Sequence, residues 1–285
     1  MDLNKVYLKK LVFEGGGVLG VAYCGALEEL SKEKMISTVN TYAGTSAGSI
    51  IASLLACGAD HNFLINEVFS VDMNKFTKFS YLGGAYSLIT KYGLCSGKEL
   101  EQWLGSLLYK LTGNENITFI ELFNKSNKKL IITGTNLKKR QVEYFDHINT
   151  PDMQIKLAMR ISASIPFLFI PVSYNDALYV DGGVLENFPF KACDICGNEE
   201  TDTQDILGMI LVNDKSDVDK PITGLWSFIK SFVGCYVNQL EENTITGDDW
   251  KQSIKISCGK VSSMDFSITD KVKNELIANG KNSMR

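Results

Sequence analysis

Short apolar runs alternate with longer mixed segments along the first part of the chain. The run from Val6 to Phe13 predicts a strand, and after three glycines the segment from Val18 to Met35 predicts a helix. A second strand is predicted at Val39 to Ala43, followed by a helix at Ile50 to Ala56 that is apolar nearly all round and should be buried. Strands that alternate with helices are typical of an α/β sandwich with a mainly parallel sheet.

The same alternation continues to near the end of the sequence. Further strands are predicted at Lys129 to Thr133, Val142 to Phe145, Phe169 to Tyr174, Leu178 to Val180, Ile206 to Val212 and Ile254 to Ser257. Ser96-Gly97-Lys98-Glu99 has the spacing of a capping box, in which a serine and a glutamate satisfy the first amides of a helix. Leucines at helical spacing follow it, so we expect a helix to begin there.

Three segments are less regular. The segment from Asn62 to Cys95 contains aromatic residues and glycines without a clear period, and we interpret it as a flexible cover over a site. The segment from Pro221 to Glu241 has an apolar stripe, which favours a core-facing helix and leaves a membrane-contacting helix as the alternative. The polar stretch from Gly197 to Asp205 predicts a surface loop.

The composition allows a large core and excludes some partners. The chain has 285 residues, of which 45% are hydrophobic and 22% charged, as in ordinary globular domains. Its formal net charge of −4 argues against nucleic acid and against a basic attraction to anionic membranes. Since neither a signal-peptide pattern nor a long apolar span is seen, we expect a cytoplasmic protein whose membrane contact is peripheral.

The seven cysteines are scattered and odd in number, which is typical of free thiols in a reducing compartment. Cys193 and Cys196 have the spacing of half a zinc or redox site. The sequence has no second pair of this kind, and its only histidines are His61 and His147. We therefore predict no metal site.

Gly44-Thr45-Ser46-Ala47-Gly48 joins the second predicted strand to the second predicted helix. A G-x-S-x-G pattern in this position is typical of a serine nucleophile held on a sharp turn. A side chain at Gly44 or Gly48 would crowd the bend that exposes the Ser46 hydroxyl. Ser46 is therefore the candidate nucleophile.

Gly15, Gly16 and Gly17 lie between the first predicted strand and its helix. Consecutive glycines before a helix leave backbone amides open at the positive end of the helix dipole, which favours an anion. Together with Gly20 they also satisfy the G-x-G-x-x-G fingerprint of dinucleotide sites, which requires an acidic residue at the end of the second strand. That strand leads instead into the serine turn, so we favour an anion hole over a nucleotide cofactor.

A serine nucleophile needs a base to accept its proton. A Ser-Asp-His triad would place a histidine late in the chain, whereas His61 and His147 lie earlier. Asp181 ends a predicted strand and precedes Gly182 and Gly183, so we expect its carboxylate at the carboxyl edge of the sheet, where ligands bind. Asp181 is the candidate base if its carboxylate is partly desolvated and bonded directly to the serine hydroxyl.

These motifs, in this order, resemble the patatin-like phospholipase family. The resemblance rests on the glycine run from Gly15 to Gly20, on the serine turn and on Asp181-Gly182-Gly183. The block from Arg160 to Phe167, with Pro171 close behind, is also similar to that family's segment before its second catalytic strand. The resemblance as a whole covers Leu11 to Asp194, and we expect residues 195–285 to complete a single domain.

The resemblance implies a three-layer α/β/α sandwich with a mainly parallel central sheet, and a hydrolase of carboxylic esters of lipids that uses no metal or other cofactor. It implies Ser46 as the nucleophile, Asp181 as the general base, the amides of Gly15, Gly16 and Gly17 as the oxyanion hole, and Gly20, Gly44, Gly48, Gly182 and Gly183 as motif glycines. The expected substrate is a phospholipid or another acyl lipid, cleaved as by a phospholipase A during transient contact with a membrane surface.

One residue departs from the family pattern, and two alternative functions are considered. Leu19 stands where many members of that family have Arg or Lys, so no contact of a basic side chain is expected here. Asn187 and Pro189 fit the family's continuation and are expected to shape the turn. The alternatives are a general carboxylesterase or acyltransferase with the same serine and aspartate, and a catalytically silent lipid-binding relative. The sequence leaves the acyl position, the headgroup and the oligomeric state open.

Overall fold

The computed structural model describes residues 8–195, 205–213, 221–224, 227–229, 231–232 and 252–284. Its strands are β1 (Lys10–Phe13), β2 (Thr41–Gly44), β3 (Gly93–Cys95), β4 (Lys129–Asn136), β5 (Gln141–Phe145), β6 (Phe167–Phe169), β7 (Val172–Tyr174), β8 (Ala177–Asp181), β9 (Ile206–Asn213) and β10 (Ser253–Gly259). Its α-helices are α1 (Tyr23–Lys32), α2 (Ala47–Ala56), α3 (His61–Phe63), α4 (Tyr81–Lys91), α5 (Lys98–Thr112), α6 (Phe119–Ser126), α7 (Ile155–Ser162), α8 (Ala192–Ile195) and α9 (Asp270–Asn282).

The central sheet has the strand order β10-β9-β1-β2-β4-β8-β7, and β5 also pairs with β4. The strands from β10 to β4 run parallel to their neighbours. The remaining pairs, β4 with β5, β4 with β8 and β7 with β8, are antiparallel. The prediction of an α/β fold with a mainly parallel central sheet is therefore confirmed. Strands β3 and β6 form a separate parallel pair.

Successive residues of a strand point to opposite faces of the sheet, and both faces of the central sheet are covered by hydrophobic clusters. Leu11 and Phe13 of β1 belong to the larger hydrophobic cluster, which also contains residues of α1, α2, α5 and α7. Val12, between them, belongs to a second cluster on the other face together with Phe188 and Phe190. The sheet is thus the middle layer of the fold.

Several predicted elements are divided or shifted. The helix predicted at Val18 to Met35 is a 3-10 segment at Gly17–Ala22 followed by α1 and a second 3-10 turn at Met35–Thr38. The strand predicted at Phe169 to Tyr174 is two strands, β6 and β7. They are separated at Pro171, which has no N–H to donate to a ladder.

The capping box predicted at Ser96 to Glu99 is wrong. Helix α5 begins after Gly97, which has a φ of +71° and caps the helix without a side chain. A capping box is present instead at the start of α6, where Thr118 and Glu121 bond each other's backbone amides. The leucines predicted for the α5 helix do face the core, with positions 100, 104, 107 and 108 buried.

The predicted cover from Asn62 to Cys95 has two different halves. In the first half, Leu64, Val68, Phe69 and Phe76 are buried in the main cluster, so this part belongs to the core. The second half contains α4, most of whose described side chains are exposed or half-buried. Only α4 and its flanks therefore fit the predicted position outside the core.

The two predictions for the C-terminal third fall largely outside the described residues. Of the stripe predicted at Pro221 to Glu241, Ile229 is buried whereas Phe228 and Phe232 are exposed. Of the loop predicted at Gly197 to Asp205, only Asp205 is described, and it is buried and paired with Lys9 and Lys10 rather than at the surface.

Candidate active site

Ser46 lies on a strained turn between β2 and α2. Its backbone has φ 51° and ψ −122°, a conformation that costs a residue with a side chain about 1–3 kcal/mol. The flanking glycines allow the turn to close. A Cβ on Gly44 would lie 2.4 Å from the backbone of Gly48, and a Cβ on Gly48 would lie 2.4 Å from the carbonyl oxygen of Phe13. The turn therefore needs glycine on both sides of the serine, as the pattern predicted.

The Ser46 hydroxyl donates a hydrogen bond directly to Asp181. The distance from Ser46 Oγ to Asp181 Oδ2 is 2.7 Å, although the two residues are separated by most of the predicted catalytic region. The other carboxylate oxygen, Oδ1, accepts a hydrogen bond from the amide of Gly183 at 2.8 Å. Both residues are nearly buried, with 8% of Ser46 and 5% of Asp181 exposed. The two predicted site residues are thus brought together in an orientation suited to proton transfer.

Asp181 lies at the carboxyl edge of the parallel strands, as expected, but β8 reaches that edge in the opposite direction. Strand β8 is antiparallel to β4 and ends with Asp181 beside Gly134, two residues past the position level with Gly44 at the end of β2. The chain then passes so close to β4 that a Cβ on Gly182 would lie 2.1 Å from Thr133 Oγ1.

Burial raises the pKa of Asp181 from 3.8 to about 7. The hydrogen bonds from Ser46 and from the Gly183 amide favour the ionised form and offset only part of this increase. A carboxylate whose pKa lies near neutral pH holds a proton far more readily than a solvated aspartate does. The site therefore contains a carboxylate that can exchange a proton with the serine hydroxyl.

The loop predicted to bind an anion, Gly15 to Gly20, is called the glycine loop below and lies beside the serine turn. A Cβ on Gly15 would lie 3.2 Å from Ser46 Cβ, and one on Gly20 would lie 3.3 Å from Ala47 Cβ. The amide of Gly15 already donates to the carbonyl oxygen of Asn187 at 2.9 Å. The Gly16 amide has no acceptor in the part of the chain that the structure describes, and Gly17 begins a 3-10 segment whose first amides lack partners inside the helix.

Asn187 fastens the glycine loop to the turn that follows Asp181. Its backbone carbonyl accepts from the Gly15 amide, and its side-chain Nδ2 donates to Gly15 O at 3.1 Å and to Glu14 Oε1 at 3.3 Å. Glu14 Oε2 in turn accepts from the amide of Leu211 in β9 at 2.8 Å. Asn187 was predicted to shape a turn, and in the structure it joins two motifs that are far apart in sequence.

The end of α7 contacts both candidate residues. The Ser46 amide donates to Ser162 Oγ at 2.9 Å, and the Asp181 amide donates to the carbonyl oxygen of Ser164 at 2.9 Å. The residue type gave no sign of the Ser162 contact, since serine is common at helix ends. Only the position of the block in the family resemblance drew attention to it.

Arg160 holds the surroundings of α7 together. Its side chain is 2% exposed and donates to the carbonyl oxygens of Gly97, Ser96 and Ile170, and to the hydroxyl of Ser164. Burial lowers the pKa of this guanidinium to about 10. Through these bonds the ends of β3 and β6 are fixed to the helix that contacts Ser46 and Asp181.

The histidines and Leu19 are placed elsewhere. His147 stacks on Phe123 with ring centroids 4.1 Å apart, and its buried Nδ1 has no hydrogen-bond partner among the described residues. His61 begins α3. The Ser46 hydroxyl bonds to Asp181 rather than to either histidine. Leu19 is 2% exposed within the main hydrophobic cluster, where a basic side chain would need a buried partner.

A family model described as patatin-like phospholipase matches residues 11–194, which include the glycine loop, Ser46 and Asp181. The chain belongs to the patatin-like phospholipase family. Among the described residues, no group of three His, Cys, Asp or Glu side chains is placed to hold a metal ion. In the same part of the chain, no helix has the length and apolar character needed to cross a bilayer.

Similar proteins occur in viruses and in animals. Uncharacterized protein R571 of Acanthamoeba polyphaga mimivirus is 31% identical over 292 residues, covering 99% of this chain and 94% of that protein. Probable lipid hydrolase 463L of Invertebrate iridescent virus 6 is 36% identical over 192 residues, covering 66% of this chain and 64% of that protein. Omega-hydroxyceramide transacylase of Mus musculus is 26% identical over 175 residues, covering 60% of this chain and 26% of that protein.

Solved structures with the patatin-like fold include two bacterial proteins. VipD from Legionella pneumophila matches with a TM-score of 0.66 and 18% identity, covering 98% of this chain and 66% of that chain. The type III effector ExoU, from Pseudomonas aeruginosa, matches with a TM-score of 0.56 and 16% identity, covering 98% of this chain and 52% of that chain. The chain thus spans about half the length of ExoU, and at these identities the likeness shows the fold alone.

Proposed function

We propose that this protein hydrolyses fatty acyl esters of lipids as a phospholipase A, with Ser46 as the nucleophile and Asp181 as the general base. The observation that carries the proposal is the 2.7 Å hydrogen bond from the hydroxyl of a strained, glycine-flanked serine to a buried carboxylate with a raised pKa. The family and the relative named as a lipid hydrolase support the class of substrate.

In the acylation step, Ser46 Oγ attacks the ester carbonyl and its proton passes to Asp181 Oδ2. The carbonyl oxygen becomes negatively charged, and the amides of Gly16 and Gly17 stabilise it. We assign this role to these two and not to Gly15, whose amide is already bonded to Asn187. The carbon–oxygen bond to the lipid alcohol then breaks, and the alcohol leaves with the proton from Asp181.

In the deacylation step, water attacks the acyl group on Ser46 while Asp181 accepts a proton from that water. The same glycine amides stabilise the second oxyanion. The carbon–oxygen bond to Ser46 breaks, the serine hydroxyl recovers the proton, and a free fatty acid is released. Apart from the lipid and water, every step uses only groups of this chain, so we expect hydrolysis to continue in the presence of a chelator.

The test is fatty acid release from mixed phospholipid vesicles in the presence of a chelator, with Ser46→Ala and Asp181→Asn as variants. Asp176→Asn is the matched control, because Asp176 is an exposed aspartate in the turn before β8. We expect release by the wild type and by the control but not by either site variant, and mass spectrometry of the products identifies the acyl position. Full activity in Asp181→Asn would contradict the role of this carboxylate.

A fluorophosphonate label distinguishes an active nucleophile from a silent relative. We expect the label on wild-type Ser46 and no label on Ser46→Ala, because the reagent requires an activated serine. An unlabelled wild type would favour a lipid-binding protein without turnover.

Acyl transfer to another alcohol is the second candidate. The observation that favours it is the similarity to omega-hydroxyceramide transacylase, a name that applies to that protein. The same acyl-enzyme could react with a lipid hydroxyl in place of water. If added long-chain alcohol diverted most of the acyl group from fatty acid into a new ester, transfer would be the main reaction.

We further propose that residues 195–285 complete the same domain, because β9 pairs with β1 and its Leu211 amide bonds to Glu14 beside the glycine loop. We also propose that the protein acts from the cytoplasm on membrane surfaces.

A further inference from the structure

A group of exposed apolar side chains surrounds α4. It consists of Phe79, Tyr86, Ile89, Tyr92 and Phe167, which are 42%, 68%, 79%, 61% and 43% exposed. We call these five residues the α4 patch. Large apolar side chains that are exposed singly need no explanation, but a group of them on adjoining elements indicates an interaction surface.

The five side chains of the α4 patch lie on neighbouring elements. Tyr86 and Ile89 are three residues apart on α4, so they share one side of the helix. The other side faces β3, where Ser87 Oγ donates to the carbonyl oxygen of Gly93 at 2.7 Å. The Phe79 ring adjoins the β3 side of α4, since a Cβ on Gly84 would lie 2.6 Å from Phe79 Cδ2 and 3.4 Å from Leu94 Cδ2.

Tyr92 and Phe167 extend the α4 patch across the small sheet. Gly93, which follows Tyr92, is paired with Phe167 in the β3–β6 ladder, so the two aromatic residues are neighbours. Both have a positive φ, 65° for Tyr92 and 66° for Phe167, which is unfavourable for bulky residues. Two adjacent aromatic residues are therefore exposed to water on strained backbone. This arrangement does not stabilise the isolated protein.

The segment that contains α4 has a charge opposite to that of the whole chain. Between Met73 and Lys98 the sequence has four lysines, Lys75, Lys78, Lys91 and Lys98, and no Asp or Glu, whereas the formal net charge of the chain is −4. All four lysines are exposed. The net charge alone argued against an attraction to anionic membranes, but this segment, which lies between Asp72 and Glu99, is itself basic. An apolar surface edged by lysines complements a membrane that contains anionic lipids.

The α4 patch is also connected to the candidate active site. Ser164, whose carbonyl accepts from the Asp181 amide, lies three residues before Phe167, and three residues span at most about 10 Å. Arg160 bonds both to Ser164 and to the carbonyl oxygen of Ile170, just after β6. A membrane bound to the α4 patch would therefore lie close to Ser46 and Asp181.

From these observations we propose that the α4 patch is a docking surface for membranes containing anionic lipids, and that it holds the active site against its substrate. The aromatic and aliphatic side chains enter the boundary between headgroups and acyl chains, while Lys78 and Lys91 contact anionic headgroups. The role in presenting substrate rests on the function proposed above, whereas binding to vesicles does not require turnover.

The binding test uses Ser46→Ala protein, so that vesicles are not hydrolysed, in flotation with phosphatidylcholine vesicles with or without phosphatidylserine. We expect binding to the mixed vesicles, weakened by high salt. Adding Tyr86→Ser and Ile89→Ser should lower the partition coefficient at least about tenfold. Adding Lys78→Gln or Lys91→Gln should lower it about fivefold each on mixed vesicles only.

The matched control replaces an exposed tyrosine and an exposed isoleucine outside the α4 patch, Tyr109→Ser with Ile148→Ser, at 61% and 54% exposure. We expect this pair to leave the partition coefficient unchanged. Equal binding by the Tyr86 and Ile89 variant and its parent would overturn the proposal. So would a wild type that ignores vesicles but forms a dimer that the same variant dissolves, because the α4 patch would then join two copies of the chain.

Hydrolysis of a water-soluble short-chain ester separates this proposal from the proposed function. In otherwise wild-type protein, we expect Tyr86→Ser with Ile89→Ser to lower the ratio of vesicle hydrolysis to soluble-ester hydrolysis at least about tenfold. A wild type that binds vesicles but hydrolyses neither substrate would contradict the proposed function and leave the docking surface supported. A wild type that hydrolyses both substrates with an unchanged ratio in the variant would contradict the docking surface alone.

Discussion

The buried carboxylate of Asp181 should make the protein less stable at neutral pH, and Asp181→Asn should remove this penalty. Raising a pKa from 3.8 to about 7 disfavours the ionised folded state by about 4 kcal/mol, since each pH unit corresponds to about 1.4 kcal/mol. Between these two pKa values the folded protein holds a proton that the unfolded chain has released. Stability is therefore lost as the pH rises from about 4 to about 7.

We expect Asp181→Asn to be more stable than the wild type at pH 8 by as much as about 4 kcal/mol, a rise in Tm of about 8 °C. The asparagine can still accept the hydrogen bond from the Gly183 amide and can donate to the Ser46 hydroxyl, so the turn keeps its bonds. The same variant should lose the general base and with it about 100-fold to 10,000-fold in kcat/KM. Stability and activity should thus change in opposite directions.

The assay is thermal unfolding followed by circular dichroism at a series of pH values from 4 to 8. Asp176→Asn is measured in parallel to account for the loss of one surface charge. The difference in Tm between Asp181→Asn and the wild type should shrink to near zero as the pH falls to about 4. A difference that does not depend on pH would refute the argument, because it would mean that burial does not penalise the charge of Asp181.

Three further outcomes are expected. Gly44→Ala should lower Tm sharply or prevent folding, because the new Cβ would lie 2.4 Å from backbone atoms, whereas Gly224→Ala, whose new Cβ would have no described residue within 4 Å, should leave Tm nearly unchanged. Ser162→Ala should cost about 1–3 kcal/mol in urea unfolding and lower kcat/KM, since the Ser46 amide loses its acceptor; two unchanged values would show that this bond does not hold the turn. Arg160→Met should cost about 3 kcal/mol or more because three carbonyl oxygens, one buried and two part-buried, lose their donor, and Arg160→Lys should restore only part of that loss in the same measurement.

The sequence patterns predicted the parts of the fold that depend on local chemistry. The glycines on either side of Ser46 and the apolar run of α2 indicated a strand, a sharp turn and a buried helix, and these are present. Asp181 lies at the carboxyl edge of the parallel strands as predicted, but no sequence pattern revealed that β8 reaches this edge antiparallel to β4. Strand direction depends on long-range pairing, which local periodicity does not contain.

Contacts between segments that are far apart in sequence could not be predicted either. The predicted anion loop lies beside Ser46 in the structure, but the bond that occupies the Gly15 amide comes from Asn187, and nothing near Gly15 in sequence indicates it. The Ser162 contact with the Ser46 amide was missed for the same reason. The predicted capping box at Ser96 was wrong because Gly97, with its positive φ, ends the preceding segment and starts the helix instead.

The position of β1 between β2 and β9 has a consequence for synthesis of the protein. β1 is the first described strand to leave the ribosome, and one of its edges pairs with β2 about 30 residues later, but the other edge waits for β9, about 200 residues later. At about 5–20 residues per second, that edge stays open for about 10–40 seconds. An open strand edge is a template for pairing with other chains, so the newly made protein should depend on chaperones until β9 has been made.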